Sequence, residues 1–189
     1  MKDKKFSLMD EINHFESENA HILFVFNQVN HYVHMAADYL SEELNKGTQV
    51  LLVENDRIYP MILKRLKESV SDQKLLNLKR ENTFDFYYEQ ESFNPDSIYN
   101  HFQDKVRPYV EKGERIVTWG HVEWGNDISN KDLITYERRI DQLLKTMSVI
   151  SICAYDEDRL SHEALESLVS LHDIYIRENK IVKPYIKTE

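Results

Sequence analysis

A chain of 189 residues that is 41% apolar and 30% charged has the size and composition of one soluble globular domain with a sizeable core. Its net charge of -9 and pI near 5.4 argue against general nucleic-acid binding, which needs a basic footprint. The single cysteine, Cys153, excludes an internal disulfide framework and fits a reducing cytoplasm, and no apolar run reaches the roughly 18 residues of a membrane span.

The polar N-terminus, MKDKKFSLMDEINHF, is unlike a signal peptide and reads as an amphipathic helix within residues 1–18, with Phe6, Met9, Ile12 and Phe15 on one face. An α/β core is expected over residues 20–186. Residues 21–27 (HILFVFN) read as a buried strand and 32–44 as the helix after it, closed by Gly47. Residues 49–54 (QVLLVE) are a second buried strand. Asn55 or Asp56 then caps a helix with Ile58, Ile62 and Leu66 inward and Pro60 in its first turn, where a missing N–H costs little. Residues 75–89 hold a short strand and an aromatic run from Phe84 to Tyr88.

Asn94-Pro95 is an N-cap followed by Pro at the first helical position. The helix buries Ile98, Phe102 and Val106, carries Pro108 in its last turn and stops at Gly113. Residues 115–119 (RIVTW) form a third strand. Ser129 opens a helix lined by Leu133, Tyr136, Ile140, Leu143 and Met147, with Asp132 completing a capping box. Residues 149–154 (VISICA) form a fourth strand, and Ser161 caps a helix carrying Leu165, Leu168 and Leu171. The alternating residues 174–177 and 181–186 predict a hairpin around Glu178-Asn179.

Near-continuous apolar strands separated by helices predict a three-layer α/β domain, its mostly parallel sheet covered on both faces and ending in an antiparallel hairpin. The strands' carboxyl ends then share one edge, where ligands bind in such folds. The turn after the first strand, Asn27-Gln28-Val29-Asn30-His31, has neither Gly nor Lys, so it lacks the backbone cradle and the ammonium of a phosphate-binding loop. The layout suits a nucleotide fold while the loop does not, which favours a binding or sensory role over phosphoryl transfer.

Residues at the strand ends form the candidate ligand site: Asn27, His31, Glu54, Trp119, His121, Glu123 and Trp124. The two indoles supply apolar walls, Gly120 lets backbone approach closely, and His121 and Glu123 are polar handles. His31 and His34, at i and i+3, read as a solvated or capping pair. Metal ligation with His121, Glu123 or Glu54 is the alternative reading of that pair. Cys153 reads as a small buried hydrophobe, Tyr136 as core and Glu137 as surface. His172 ends a helix, where a cation would meet the helix dipole favourably. With no Ser-His-Asp order, HExxH or CxxC present, no catalytic residue, metal or cofactor is assigned.

Several stretches carry a family resemblance. They are His21-Ile22 opening the first strand, Gly47 before QVLLV, FDFYYEQESFNPDSI, TWGHVEWG, LITYERRIDQLL, ICAYDEDRL and LVSLHDIYI, together covering roughly residues 20–180. In these the chain resembles the MEDS domain, a sensory domain of methanogens and methylotrophs. The resemblance implies a RecA/KaiC-like fold that has lost its phosphate loop and senses a small molecule, often beside a DNA-binding or histidine-kinase module. The expectation is a single cytoplasmic domain without an attached output module. It would bind a small, partly apolar organic ligand and signal as a homodimer or through a histidine kinase or transcription regulator, without touching membrane or nucleic acid. The alternatives are a degenerate nucleotide-binding regulator, a metal-dependent hydrolase using His31, His34 and His121, and a structural interaction module.

Overall fold

A computed structural model describes residues 19–88, 92–124, 128–178 and 180–182. The helix expected within residues 1–18 and the end of the hairpin beyond residue 182 lie outside them. In chain order the elements are β1 (Ala20–Phe26), α1 (Val29–Lys46), β2 (Gln49–Val53), α2 (Tyr59–Ser69), the one-turn α3 (Asp72–Leu75), β3 (Leu78–Glu81) and α4 (Thr83–Tyr87). There follow α5 (Pro95–Glu111), β4 (Ile116–His121), α6 (Asn130–Leu144), β5 (Val149–Asp156), α7 (His162–Leu171), β6 (Ile174–Arg177) and β7 (Lys180–Val182). The sheet order is β3-β2-β4-β5-β1-β6-β7, parallel throughout except for the closing β6–β7 pair. This is the α/β layout that the alternating periods predict.

Local chemistry sets most boundaries. Gly47 ends α1 at φ 87°, a left-handed conformation that costs glycine nothing, while the N–H groups of Gly47 and Thr48 return to the carbonyls of Leu44 and Glu43. Asn94 Oδ1 accepts from the N–H groups of Asp96 and Ser97 ahead of Pro95, and Ser129 and Ser161 cap α6 and α7 in the same way. α2 starts later than expected. Asn55 Oδ1 takes the N–H groups of Arg57 and Ile58 in a turn before the helix, so the cap position falls on Ile58.

The period of two along each strand sorts side chains onto two faces. Ile22, Phe24, Phe26, Leu52, Trp119 and Ile152 lie under α1 and α2. Leu23, Val25, Leu51, Val53, Cys153 and Tyr155 lie under α5, α6 and α7. Gly120, in β4, has no room for more: a Cβ there would sit 3.1 Å from the Tyr87 hydroxyl. All parallel strands deliver their carboxyl ends to one edge, bringing residues 54–58, 82–84 and 122–124 together. Replacing the α5 cap, Asn94→Ala, is expected to lower unfolding free energy by about 1 kcal/mol in urea titration.

Candidate functional site

At the end of β1, where a nucleotide-binding domain wraps a glycine-rich loop around phosphate, this protein packs rings. Only Asn27 and Gln28 separate β1 from α1, and both are exposed. Beneath them the Phe26 and Tyr32 rings stack with centroids 4.3 Å apart, and the His121 ring lies 5.4 Å from the first and 5.1 Å from the second. All three are buried. Their volume occupies the floor of the edge.

Polar groups around these rings form one connected network. The Trp119 indole N–H donates to the Tyr32 hydroxyl at 3.0 Å, and that hydroxyl donates to Glu54 Oε2 at 2.5 Å. The other carboxylate oxygen of Glu54 accepts from the Asn55 backbone N–H and lies 2.8 Å from His121 Nδ1. Burial, and next the Glu54 charge, push the Tyr32 hydroxyl well above the usual phenol range, so it stays a donor. Glu54 is therefore a fully buried carboxylate whose two oxygens are both met by donors. Asn55 carries the network outward, donating from its side chain to Glu123 Oε2 at 2.8 Å. Arg80 braces the same turn through the Glu54 carbonyl and the Asp56 carboxylate.

Above the network a cavity of about 500 Å³ opens at the ends of β2, β3 and β4. Phe84, Tyr88 and Trp124 form its apolar walls, and Asn55, Asp56, Asn82, Thr83 and Glu123 supply polar groups. The Phe84 ring is 66% exposed and stacks on Tyr88 with centroids 5.3 Å apart. Trp124 is held from behind by the Tyr155 ring at 5.6 Å and by the Arg159 guanidinium, which also donates to its carbonyl. Apolar walls, few convergent polar groups and this volume are what small organic ligands require.

Of the residues expected at the site, Glu123 and Trp124 line the cavity, while Glu54 and His121 lie buried in the network beneath it. Trp119 lies fully buried below them, positioning Tyr32 rather than lining the cavity. Asn27 is exposed and bonds Glu178, and half-buried His31 makes a T-shaped contact with Phe24; neither lines the cavity. Asn82, Thr83, Phe84 and Tyr88 line it without having been singled out as site residues. The signal available for them was the aromatic run directly after a strand.

A second cluster lies on the opposite face of the sheet, between β1, β5, α6 and α7. Here Glu137, expected at the surface, is 0% exposed, because its position on α6 faces the strands. It meets His21 Nε2 at 3.2 Å and His172 Nε2 at 3.5 Å, and accepts from the Tyr155 hydroxyl. His21 also meets Cys153 Sγ at 3.4 Å and stacks on His172 with ring centroids 3.8 Å apart. Burial opposes a charge on His21, but Cys153, Asp141 and Glu137 outweigh it and hold its pKa well above the ordinary value. Burial and then the charge of His21 pull His172 down to about 3, so it is neutral and not the cation expected at the helix end. Burial pushes the Cys153 thiol up to about 11, and the Glu137 pKa stays low against its own burial because the His21 imidazole lies against it.

Among the described residues two groups bring metal-capable donors together, His21, Glu137, Cys153 and His172, and separately Glu54, His121 and Glu123. His31 and His34 belong to neither.

The profile of the MEDS family (MEthanogen/methylotroph, DcmR Sensory domain) matches residues 20–173. The chain belongs to this family of sensory domains. Among solved structures this MEDS domain is similar to the ATPase domain of a helicase, at 12% identity and a TM-score of 0.59, covering 91% of this chain and 74% of that one. It is also similar to the ATP synthase subunit NeqB of Nanoarcheaum equitans, at 9% identity and a TM-score of 0.52, covering 84% of this chain and 45% of that one. At these identities the likeness is one of RecA-like fold. No curated protein matches the chain.

His21 and His172, two of the buried histidines of this MEDS domain, set opposing pH limbs. His172, lowered from 6.5 to about 3, takes up a proton in the unfolded chain before the folded one, so stability falls as pH drops below 6.5. His21, raised above 6.5, contributes stability that is present below 6.5 and lost as pH rises toward its folded pKa. In chelator-containing buffer, chemical denaturation at a series of pH values should show an acid limb of at most about 1.4 kcal/mol per pH unit between pH 6.5 and about 3. The part due to this imidazole should be absent in His172→Gln.

Proposed function

We propose that this MEDS chain is a non-enzymatic cytoplasmic sensor that binds a small, partly apolar organic molecule at the carboxyl edge of its sheet. The observation that carries this reading is the aromatic cavity of about 500 Å³ standing on a hydrogen-bonded floor. The apolar body of a ligand would rest against Phe84, Tyr88 and Trp124. Glu123 would accept from its polar end, and the Asn55 and Asn82 side chains, whose oxygens already accept backbone N–H groups, would donate to it. This favours a group that both donates and accepts, such as an alcohol or amine. Occupancy would be transmitted through the turn after β2, since Asn55 joins Glu123 at the cavity to Glu54 beneath it. The signal would pass onward by contact, to a second copy of the chain or to a histidine kinase or transcription regulator.

The RecA-like fold favours one second reading, a degenerate nucleotide-binding regulator. Against it stand the Phe26, Tyr32 and His121 rings where phosphate would sit, and the lack of a lysine in the turn after β1.

Two measurements separate these readings. Millimolar Mg-ATP should leave the melting temperature unchanged, whereas a nucleotide at 100 times its Kd would add about 2.7 kcal/mol of stability. A shift that vanishes on removing magnesium would establish the nucleotide reading. Titration of short alcohols and amines, followed by Trp fluorescence, should give saturable binding that Trp124→Ala weakens about tenfold or more, some 1.4 kcal/mol. Equal affinity in wild type, Trp124→Ala and Glu123→Gln would remove the cavity from the function.

A further inference from the structure

The cluster under α6 and α7 has a feature that a set of ordinary hydrogen bonds does not account for. His172 Nδ1 lies 2.7 Å from the Leu168 carbonyl, so that nitrogen carries the proton and Nε2 presents a lone pair. This lone pair faces Glu137 Oε2 at 3.5 Å, and neither atom has a hydrogen-bond partner among the described residues. Both residues are buried, Glu137 completely. Two buried acceptors directed at each other repel unless a positive charge lies between them. A proton on His21 Nε2, 3.2 Å from Glu137, answers the carboxylate but leaves His172 Nε2 unfilled.

One donor atom from each of His21, Glu137, Cys153 and His172 lies within 4.8 Å of the other three. The closest separations are 3.2 Å, 3.4 Å and 3.5 Å. Metal–nitrogen bonds of about 2.0–2.1 Å and metal–sulfur bonds of about 2.3 Å put ligand atoms about 3.3–3.6 Å apart at the corners of a tetrahedron. The outer contacts also match a metal site. His172 is oriented by a backbone carbonyl, the Glu137 oxygen turned away accepts from Tyr155, and His21 Nδ1 faces the Asp141 carboxylate at 3.8 Å.

We propose that His21, Glu137, Cys153 and His172 form a buried tetrahedral site for a divalent transition-metal cation of the zinc class. Two imidazoles, a sulfur and one carboxylate oxygen are borderline-soft donors that suit Zn²⁺ and disfavour Mg²⁺ or Ca²⁺, which take oxygen. All four positions come from the protein, so the site is closed and holds no water for hydrolysis. On binding, the Cys153 thiol and His21 Nε2 give their protons to solvent as the metal–sulfur and metal–nitrogen bonds form. The cation ties β1, β5, α6 and the end of α7 together. The site stands independently of the edge cavity, because none of its four residues lines that cavity.

The test uses the full chain stripped of metal and titrated with Co²⁺ and then Zn²⁺. Wild type should take up one Co²⁺ per chain with the intense visible bands of tetrahedral cobalt and a thiolate-to-cobalt charge-transfer band, both bleached by Zn²⁺. Zinc at 100 times its Kd should raise the melting temperature by roughly 5–10 °C. Cys153→Ser should lose the charge-transfer band, His172→Gln should weaken uptake at least tenfold, and His162→Gln, at an exposed position, should behave as wild type. The wild-type titration needs no variant to fold. Absence of tetrahedral bands and of any thermal shift in wild type overturns the proposal, as does a charge-transfer band that survives in Cys153→Ser.

Discussion

A parallel sheet covered by helices on both faces leaves the residues of its central strands, β1, β2, β4 and β5, almost no contact with water. The buried polar side chains of those strands must find their partners inside the protein. The rest of the structure follows from that constraint. Most central-strand positions meet it with Val, Ile, Leu and Phe; Thr118 and Ser151 meet it by bonding each other across β4 and β5 at 2.8 Å. His21 and His121, two imidazoles in strands, the Cys153 thiol and Glu54, a carboxylate that directly follows a strand, belong to the two polar clusters. Since alternate residues face opposite ways, His21 and Cys153 can be satisfied only under α6 and α7, and Glu54 and His121 only under α1.

The two clusters solve the same problem differently. Glu54 accepts from the Tyr32 hydroxyl and the Asn55 backbone N–H, with the His121 ring 2.8 Å away, so both of its oxygens are met. Such a network is rigid, and it extends through Asn55 to Glu123 at the cavity rim. Glu137 has too few donors for the acceptors around it. Its neighbours are two imidazoles and a thiol, of which only His21 offers a proton to its inner oxygen. Surplus donors rigidify a site; surplus acceptors create a place for a cation.

The filled phosphate position connects fold to family. A RecA-like sheet supplies an edge where strand ends converge, whatever binds there. In this chain Phe26, Tyr32 and His121 occupy the part of that edge nearest β1, so the open volume moves toward β2, β3 and β4. The aromatic segment after β3 then becomes a wall. This member of a sensory family thus combines a RecA-like sheet with an edge packed by rings.

Short-range chemistry made much of this legible from the chain alone. Apolar runs marked the buried strands, Asn94, Ser129 and Ser161 marked helix starts, Gly47 marked an end, and the lack of Gly and Lys after β1 marked the missing phosphate cradle. Each of these depends on residues a few positions apart. The approach of the β2 and β4 ends was legible too, because a parallel sheet puts strand ends on one edge. Only the tertiary structure decided that Glu54, Trp119 and His121 lie below the cavity, that Asn27 and His31 stand aside, and that Phe84 and Tyr88 line it. Only it could turn Glu137, one acidic residue among several on an amphipathic helix, into the centre of a buried cluster. His21 and Cys153 are 132 residues apart, and no local period records that β1 and β5 are neighbours in register. Propensity, capping and turn chemistry act over a helical turn, whereas pairing of strands and the burial of a charge are set by the packing of the whole chain.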